Sequence, residues 1–158
     1  MTTMRDTAAA ALARFDHTFA ELDKTVQGLS ERELTEIRDP AGWSAKDHLM
    51  HVATWEQALV ATLDGRPRHA ALGLDASTDG SEDWDAMNAA IFAATRERSL
   101  REVLDTVRGT HATTRAKIAA LAEGGAAAPT ADAFLADVSG YADHYEQHHG
   151  WIRELVGL

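Results

Sequence analysis

The segment LREVLDTVRGTHATTRAKIAAL, residues 100–121, carries the clearest helical pattern of the chain. Its seam residues recur strictly four and three positions apart; they are Leu100, Leu104, Val107, His111, Thr114, Ile118 and Leu121. This spacing puts all of them on one helix face, as in coiled coils. Ser99 and Glu102 form a capping box at its start, and Gly124 and Gly125 predict its end. The segment therefore predicts a long helix that packs against other helices.

Three further segments show an apolar stripe at helical spacing. The first covers about residues 3–29, the second runs from Ser44 to about residue 64, and the last follows Thr130, which can cap it. A shorter helix is predicted over residues 81–96. No convincing alternation of apolar and polar residues predicts a strand. Four long helices that are each apolar on one face predict a four-helix bundle.

The connection between the second and third long helices is unusually long. Residues 65–80 are rich in Gly, Pro, Ser, Thr and Asp and are predicted to form a loop. Connections in helix bundles usually take about two to eight residues, so this one is long enough to run between opposite ends of the bundle. We therefore expect residues 1–158 to form one all-α domain, with a long crossover connection between helices 2 and 3.

Composition excludes several classes of function. The 158 residues carry a formal net charge of -10 and show no basic patch, which argues against a nucleic-acid partner. Without cysteine, the chain forms no disulfide and no thiolate metal site. No apolar run approaches the ~18 residues that a membrane-spanning helix needs. The sequence thus predicts a soluble cytoplasmic protein without membrane contact.

Histidine is the residue type most suited to chemistry here. His144 and His148 lie one turn apart on the predicted last helix, so both can reach one metal ion. A third imidazole would come from the second helix, which offers His48 inside its apolar arc and His51 at the edge of that arc. Helical periodicity leaves both candidates open. Three imidazoles with open positions are typical of catalytic zinc sites.

A family resemblance bears on this choice. Residues 43–56, WSAKDHLMHVATWE, resemble the second-helix signature of the DinB/YfiT-like superfamily, in which a Trp precedes a metal-binding His by eight residues. His144 and His148 resemble the last-helix pair of that superfamily. The region from residue 88 to 104 resembles the ClbS/DfsB-like branch. By this mapping, His51 is the third ligand and His48 is not.

The resemblance also implies a fold and a range of activities. It implies a four-helix bundle with a crossover, a homodimer, and a divalent ion, most often zinc or nickel, held by three histidines in a groove. Related proteins include S-transferases and isomerases that use a low-molecular-weight thiol, namely mycothiol or bacillithiol. They also include ClbS-like proteins that protect a producing cell by opening a reactive natural product.

Three residues near the predicted site carry polar groups on apolar faces. Glu56 lies within the apolar arc of its helix, so it is expected to be a general base, a partner that orients a histidine, or half of an ion pair. Tyr141 and Tyr145 could place hydroxyl groups in the groove, although aromatic residues at helical spacing are usually core. Glu56 and Tyr141 are the predicted catalytic residues.

Other residues have a weaker signal. Trp55, Trp84 and Trp151 could wall an apolar pocket, and Asn88 could orient a substrate. His111 occupies a seam position and is expected to be a hydrogen-bonded core histidine.

The sequence therefore predicts a metal-dependent enzyme acting on an electrophilic small molecule, by thiol transfer or hydrolysis, at His51, His144 and His148. One alternative is a ClbS-like self-protection protein that traps or hydrolyses a reactive metabolite. Another is a non-catalytic bundle that binds a small ligand or a partner helix. The expected partners are a small-molecule substrate, a low-molecular-weight thiol and a second copy of the chain.

Overall fold

The computed structural model describes residues 2–124 and 131–158 and assigns most of them to helices. Gly125 and Thr130, which the sequence predicts at helix ends, lie outside these residues. The described part of the chain forms eight helices, in the order α1 (Met4–Gln27), α2 (Glu31–Thr35), α3 (Ala45–Leu63), α4 (Arg68–Leu72), α5 (Ala76–Gly80), α6 (Trp84–Thr95), α7 (Leu100–Ala122) and α8 (Ala131–Val156).

The four long helices, α1, α3, α7 and α8, form the predicted bundle. Helices α1 and α3 each pack against both α7 and α8. The core between them is filled by large side chains that are almost fully buried, including Tyr145, Phe15, Phe134, Leu22, Leu49 and Ile118. The all-α prediction is confirmed. Over the described ranges, no helix combines the length and the hydrophobicity needed to cross a membrane.

Hydrogen bonds between α3 and α7 reveal the direction of these two helices. Gln57 Nε2 donates to Thr110 Oγ1, and Lys117 Nζ donates to Asp64 Oδ1. Residue numbers therefore rise together along the two helices, which means that they are parallel. Because the chain must return from the end of α3 to the opposite end of the bundle before α7 begins, the predicted crossover is confirmed.

The crossover itself differs from the prediction of a loop over residues 65–80, which was wrong. This stretch contains α4 and α5, each of five residues. Asp75 caps α5 by accepting a hydrogen bond from Thr78 N, and Gly73 ends α4 in a left-handed conformation with φ 71°. A five-residue helix is too short to show a repeating apolar pattern, so periodicity could not reveal it. The prediction of a helix over residues 81–96 is confirmed by α6.

A small apolar cluster fixes the crossover to the bundle. Leu72 from α4 and Met87 and Ile91 from α6 are buried together with Ala58 of α3. This contact lays α6 alongside α3. The face of α6 that carries Asn88 thereby forms one wall of a cavity beside α3.

A tight turn precedes α3 and determines where that helix starts. Asp39 N donates to Trp43 O and Trp43 N donates to Asp39 Oδ1, both at 2.9 Å, while Gly42 adopts φ 88°. Such a positive φ favours glycine. Ser44, the predicted start of the helix, then caps α3 and forms a capping box with Asp47. The turn thus places Asp39 and Trp43 beside the first turns of α3.

Candidate metal centre

Three histidines from two helices come together at one end of the α3–α8 contact. Each of His51, His144 and His148 offers one ring nitrogen, and these three nitrogens lie within 4.8 Å of one another. The ring centroids are 4.6 Å apart for His144 and His148, and 4.8 Å for His51 and His148. The four-residue spacing on α8 places two rings on one face, and α3 supplies the third. The structure thus brings together the three residues that the sequence nominates.

Two of these rings have no hydrogen-bond partner among the described residues. No hydrogen bond reaches the ring of His51 or of His144 from any described group, and His51 Nδ1 is fully buried without one. A buried polar atom without a partner costs about 1–3 kcal/mol. A metal ion among the rings would take up lone pairs that the protein leaves unused. The donor set therefore fits a divalent ion.

Burial also keeps the three rings neutral. It lowers the pKa of His51 to about 3, with smaller contributions from His144 and His48, and it lowers the pKa of His144 to about 4. It lowers the pKa of His148 as well, and the neighbouring histidines add to that effect. At pH 7 each ring therefore keeps a free lone pair, which metal coordination requires.

His48 lies next to this cluster in a different role. Its Nδ1 is 3.0 Å from Nδ1 of His148, and its Nε2 is 3.0 Å from Oδ2 of Asp39. Burial lowers the pKa of His48, although the Asp39 carboxylate opposes that change. Helical periodicity allowed either His48 or His51 to be the third histidine of the cluster. In the structure His51 belongs to the cluster, and His48 contacts it through His148. Asp39 was missed, since nothing in its Asp-Pro turn marks it as a partner of a residue nine positions later.

The three rings face a cavity of about 930 Å³. Trp43 and Trp151 stand on its walls, and its charged lining consists of Arg38, Asp39, Asp85 and Glu154. Trp43 stacks on Phe92 of α6, with ring centroids 5.2 Å apart, which ties the wall to the crossover.

A smaller cavity of about 270 Å³ adjoins the larger one. It is lined by Trp55, Trp84 and Tyr141, together with residues that also line the larger cavity: His51, Asn88 and His144. The histidine cluster therefore lies where the two cavities meet. The three tryptophans predicted as pocket walls line one cavity or the other, and Trp84 and Trp151 are 53% and 44% exposed.

Asn88 is held in a defined orientation at this junction. The indole Nε1 of Trp55 donates to Oδ1 of Asn88 at 3.1 Å. Because the indole nitrogen can only donate, the amide oxygen must face Trp55. The amide NH₂ has no hydrogen-bond acceptor among the described residues and remains able to donate to a molecule in the cavities.

Glu56 lies in the core and lines neither cavity. Its side chain is fully buried, and Oε2 accepts a hydrogen bond from the hydroxyl of Tyr145. Burial raises the pKa of Glu56 to about 7, an effect that the nearby hydroxyls of Thr114 and Tyr145 only partly offset. By geometry the Thr114 hydroxyl donates to the Thr110 carbonyl, so its effect on Glu56 is weak, and Oε1 has no hydrogen-bond partner among the described residues. Over the described residues, Glu56 forms no ion pair, and its catalytic role stays a prediction.

Tyr141 contacts the site with its ring and the helix backbone with its hydroxyl. The ring lines the smaller cavity and lies 5.2 Å from that of His144, while the hydroxyl donates to the Val52 carbonyl. Its catalytic role also stays a prediction.

His111 lies in the core, as its seam position predicts. Its ring is buried against Phe15 and Phe19, with centroids 4.6 Å and 3.6 Å away, and its Nε2 lies 3.4 Å from Asp16. Its Nδ1 has no hydrogen-bond partner among the described residues, so the predicted hydrogen bonding is met at most on one side of the ring.

Comparison with protein families gives one match. The family model of the DinB superfamily matches residues 14–152, a range that includes all three clustered histidines. The superfamily prediction is thereby confirmed, whereas the ClbS-like branch stays a prediction. Comparisons with curated proteins and with solved structures returned no match.

Proposed function

The chain belongs to the DinB superfamily, and on that basis we propose that it is a metal-dependent enzyme that acts on an electrophilic small molecule. In this proposal His51, His144 and His148 hold one divalent ion. The observation that carries it is the convergence of three neutral imidazoles on a cavity, two of them without a hydrogen-bond partner among the described residues. The proposed reactions are transfer of a thiol to the substrate or its hydrolysis.

The donor set favours zinc or nickel. Imidazole nitrogen suits these late first-row ions, and the cluster contains no carboxylate of the kind that magnesium and calcium prefer. Three protein ligands leave positions open toward the cavity. When bound, such an ion acidifies water or a thiol at its open positions and so supplies a nucleophile near neutral pH.

The walls of the cavities support binding of an uncharged or cationic organic molecule. Trp43 and Trp151 offer aromatic faces, and most of the charged lining is acidic. The amide NH₂ of Asn88 would donate to an oxygen of the electrophile and hold it beside the histidine cluster. The larger cavity is of the size that small-molecule sites usually have.

Glu56 and Tyr141 would support the site in this proposal. Tyr141 connects α8 to α3 through the backbone carbonyl of Val52, and Tyr145 connects them through the side-chain carboxyl of Glu56. Both bonds connect the two helices that carry the metal ligands. These residues would therefore act by maintaining the distance between His51 and the α8 pair.

A second candidate function is self-protection by trapping a reactive metabolite. It is favoured by the exposed Trp84 and Trp151, which would cover an apolar ligand without any need for turnover. This function would depend on the tryptophans more than on the histidines.

Metal analysis of protein purified without a histidine tag tests the proposal. We expect about one zinc or nickel ion per chain, and its loss in His51→Ala and His148→Ala. His17→Ala is the matched control, because His17 is exposed and lies outside the cluster. Wild-type protein that binds no metal after exposure to zinc and nickel would contradict the proposal. Metal-free protein that still consumes an electrophile would favour the second candidate.

A further inference from the structure

Asp39, His48 and His148 form a continuous chain of hydrogen bonds behind the metal centre. Asp39 Oδ2 lies 3.0 Å from Nε2 of His48, and Nδ1 of His48 lies 3.0 Å from Nδ1 of His148. Both histidines are buried, at 4% and 3% exposure. The three residues come from the turn before α3, from α3 and from α8, so the chain connects separate parts of the fold.

The three groups can form these two hydrogen bonds in only one donor-to-acceptor direction. An ionised carboxylate can only accept, so Nε2 of His48 must carry the hydrogen of the first bond. A neutral imidazole has one N–H, which leaves Nδ1 of His48 as an acceptor. The hydrogen of the second bond must then reside on Nδ1 of His148. The lone pair of His148 is therefore on Nε2.

We infer that Asp39 and His48 are positioning residues that fix the tautomer of His148 and make its Nε2 the metal-binding atom. The part that concerns the metal rests on the proposed function, whereas the direction of the hydrogen bonds follows from the geometry together with an ionised Asp39 and neutral imidazoles. Of the three clustered rings, only His148 has such a support in the described chain, because His51 and His144 have no hydrogen-bond partner there.

Asp39 is itself held firmly, which makes it suitable for this role. Its Oδ1 accepts from the backbone N–H of Trp43 at 2.9 Å, and its own N–H donates to the Trp43 carbonyl. Oδ2 is thereby directed at His48. The turn between residues 39 and 43 would thus act on the metal centre through two imidazoles.

Nitrogen NMR of protein labelled with ¹⁵N in histidine tests the direction of these hydrogen bonds in the absence of metal. The spectrum is recorded on the metal-free wild type at about pH 7.5, where both imidazoles are neutral, as this arrangement of hydrogen bonds requires. We expect hydrogen on Nε2 of His48 and on Nδ1 of His148. Hydrogen on Nε2 of His148, or on both nitrogens of His48, would overturn the inference. This result does not depend on whether the protein is an enzyme.

Zinc affinity, measured by competition with a chromophoric chelator, tests the consequence for the metal. His48→Leu removes the acceptor, and we expect zinc to bind about 10–100-fold more weakly, as is usual when such a partner is lost. His48→Gln is the matched variant, since its amide oxygen can accept from His148 while its NH₂ donates to Asp39. It should retain affinity within about threefold of the wild type, by the same comparison.

The outcomes separate the two proposals. Equal losses in His48→Leu and His48→Gln would mean that His48 acts by packing, and would overturn the inference. Asp39→Asn should also weaken zinc binding, because its NH₂ can donate to Nε2 of His48 and reverse both bonds. If the wild type binds neither zinc nor nickel, the proposed function fails together with the metal-binding role of His148, while the NMR result still decides the direction of the hydrogen bonds.

Discussion

Two buried polar clusters lie on the same pair of helices, α3 and α8, and they differ in what surrounds them. The histidine cluster of His51, His144 and His148 faces two cavities, and two of its rings lack a hydrogen-bond partner among the described residues. The carboxyl cluster of Glu56 and Tyr145 lies in the core and lines neither cavity; the Tyr145 hydroxyl donates to Oε2, and Oε1 has no hydrogen-bond partner among the described residues. All of these side chains are buried except His144, which is half-buried. Both clusters thus contain an unpaired polar atom, and what distinguishes the candidate binding site is that its side chains line a cavity.

The two clusters should also differ in how they affect the stability of the folded chain. Unpaired imidazoles reduce the stability of the metal-free chain, and a bound ion would reverse that loss. The buried carboxyl reduces stability only when it is ionised, so a proton reverses its effect. The free energy of unfolding should therefore respond to metal through the histidine cluster and to pH through the carboxyl cluster.

The largest effect should come from adding metal. Zinc at a thousand times its dissociation constant should raise the free energy of unfolding of the wild type by about 4 kcal/mol. His148→Ala should show almost no increase, and Glu56→Gln should show the full one. Denaturant titration with and without zinc measures this. A full response in His148→Ala would place the ion outside the histidine cluster.

Glu56→Gln should alter how stability depends on pH. Because the pKa of Glu56 is raised from 4.5 to about 7, the folded chain retains a proton that the unfolded chain releases between these values. This group therefore lowers stability as pH rises through that range and adds no further change above it. The histidines act in the opposite direction, since their folded pKa values are lowered.

The difference between wild type and Glu56→Gln isolates the carboxyl from the histidines. Relative to the wild type, the variant should gain roughly 3 kcal/mol in free energy of unfolding between pH 4 and pH 8. The exposed Glu31→Gln is the control and should show no such gain. If Glu56→Gln instead lost metal or activity, the two clusters would not be separate.

Asn88→Ala should affect substrate and leave the metal in place. Loss of one donated hydrogen bond costs about 1–1.5 kcal/mol, or roughly tenfold in kcat/KM for an electrophile that the wild type consumes. Trp55→Phe should give a smaller loss, because the amide remains but is free to rotate. Steady-state kinetics and metal content together measure this. A drop in metal content in Asn88→Ala would contradict a role confined to substrate.

Tyr141→Phe should have the smallest effect. It removes the hydrogen bond to the Val52 carbonyl and keeps the ring that lines the smaller cavity. We expect a loss of about 1 kcal/mol in the free energy of unfolding with metal content unchanged. A loss of activity much larger than the loss of stability would instead support the predicted catalytic role of Tyr141.

Much of the fold could be predicted from the sequence because its determinants are local. The capping boxes at Ser30, Ser44 and Ser99 all form, since each depends on residues three positions apart. The crossover followed from the length of a connection. Helices α4 and α5 could not be predicted, since five residues contain little more than one turn.

The site was predictable in part. His144 and His148 follow from helical spacing, but His48 and His51 are only ~60° apart around α3, and both are buried. Periodicity cannot separate two residues on the same face. What separates them is Asp39, which reaches His48 through a tertiary contact that no spacing encodes.

The histidine cluster and part of the cavity lining lie on different parts of the fold. The three clustered histidines lie on α3 and α8, two of the helices that supply the bundle core. Asn88 and Trp84 sit on α6, which is attached by a small cluster of its own. Residues on this segment can therefore change, and with them the molecules that would fit the cavities, while the histidine cluster and the bundle are kept. Diversification of such proteins should concentrate in the crossover.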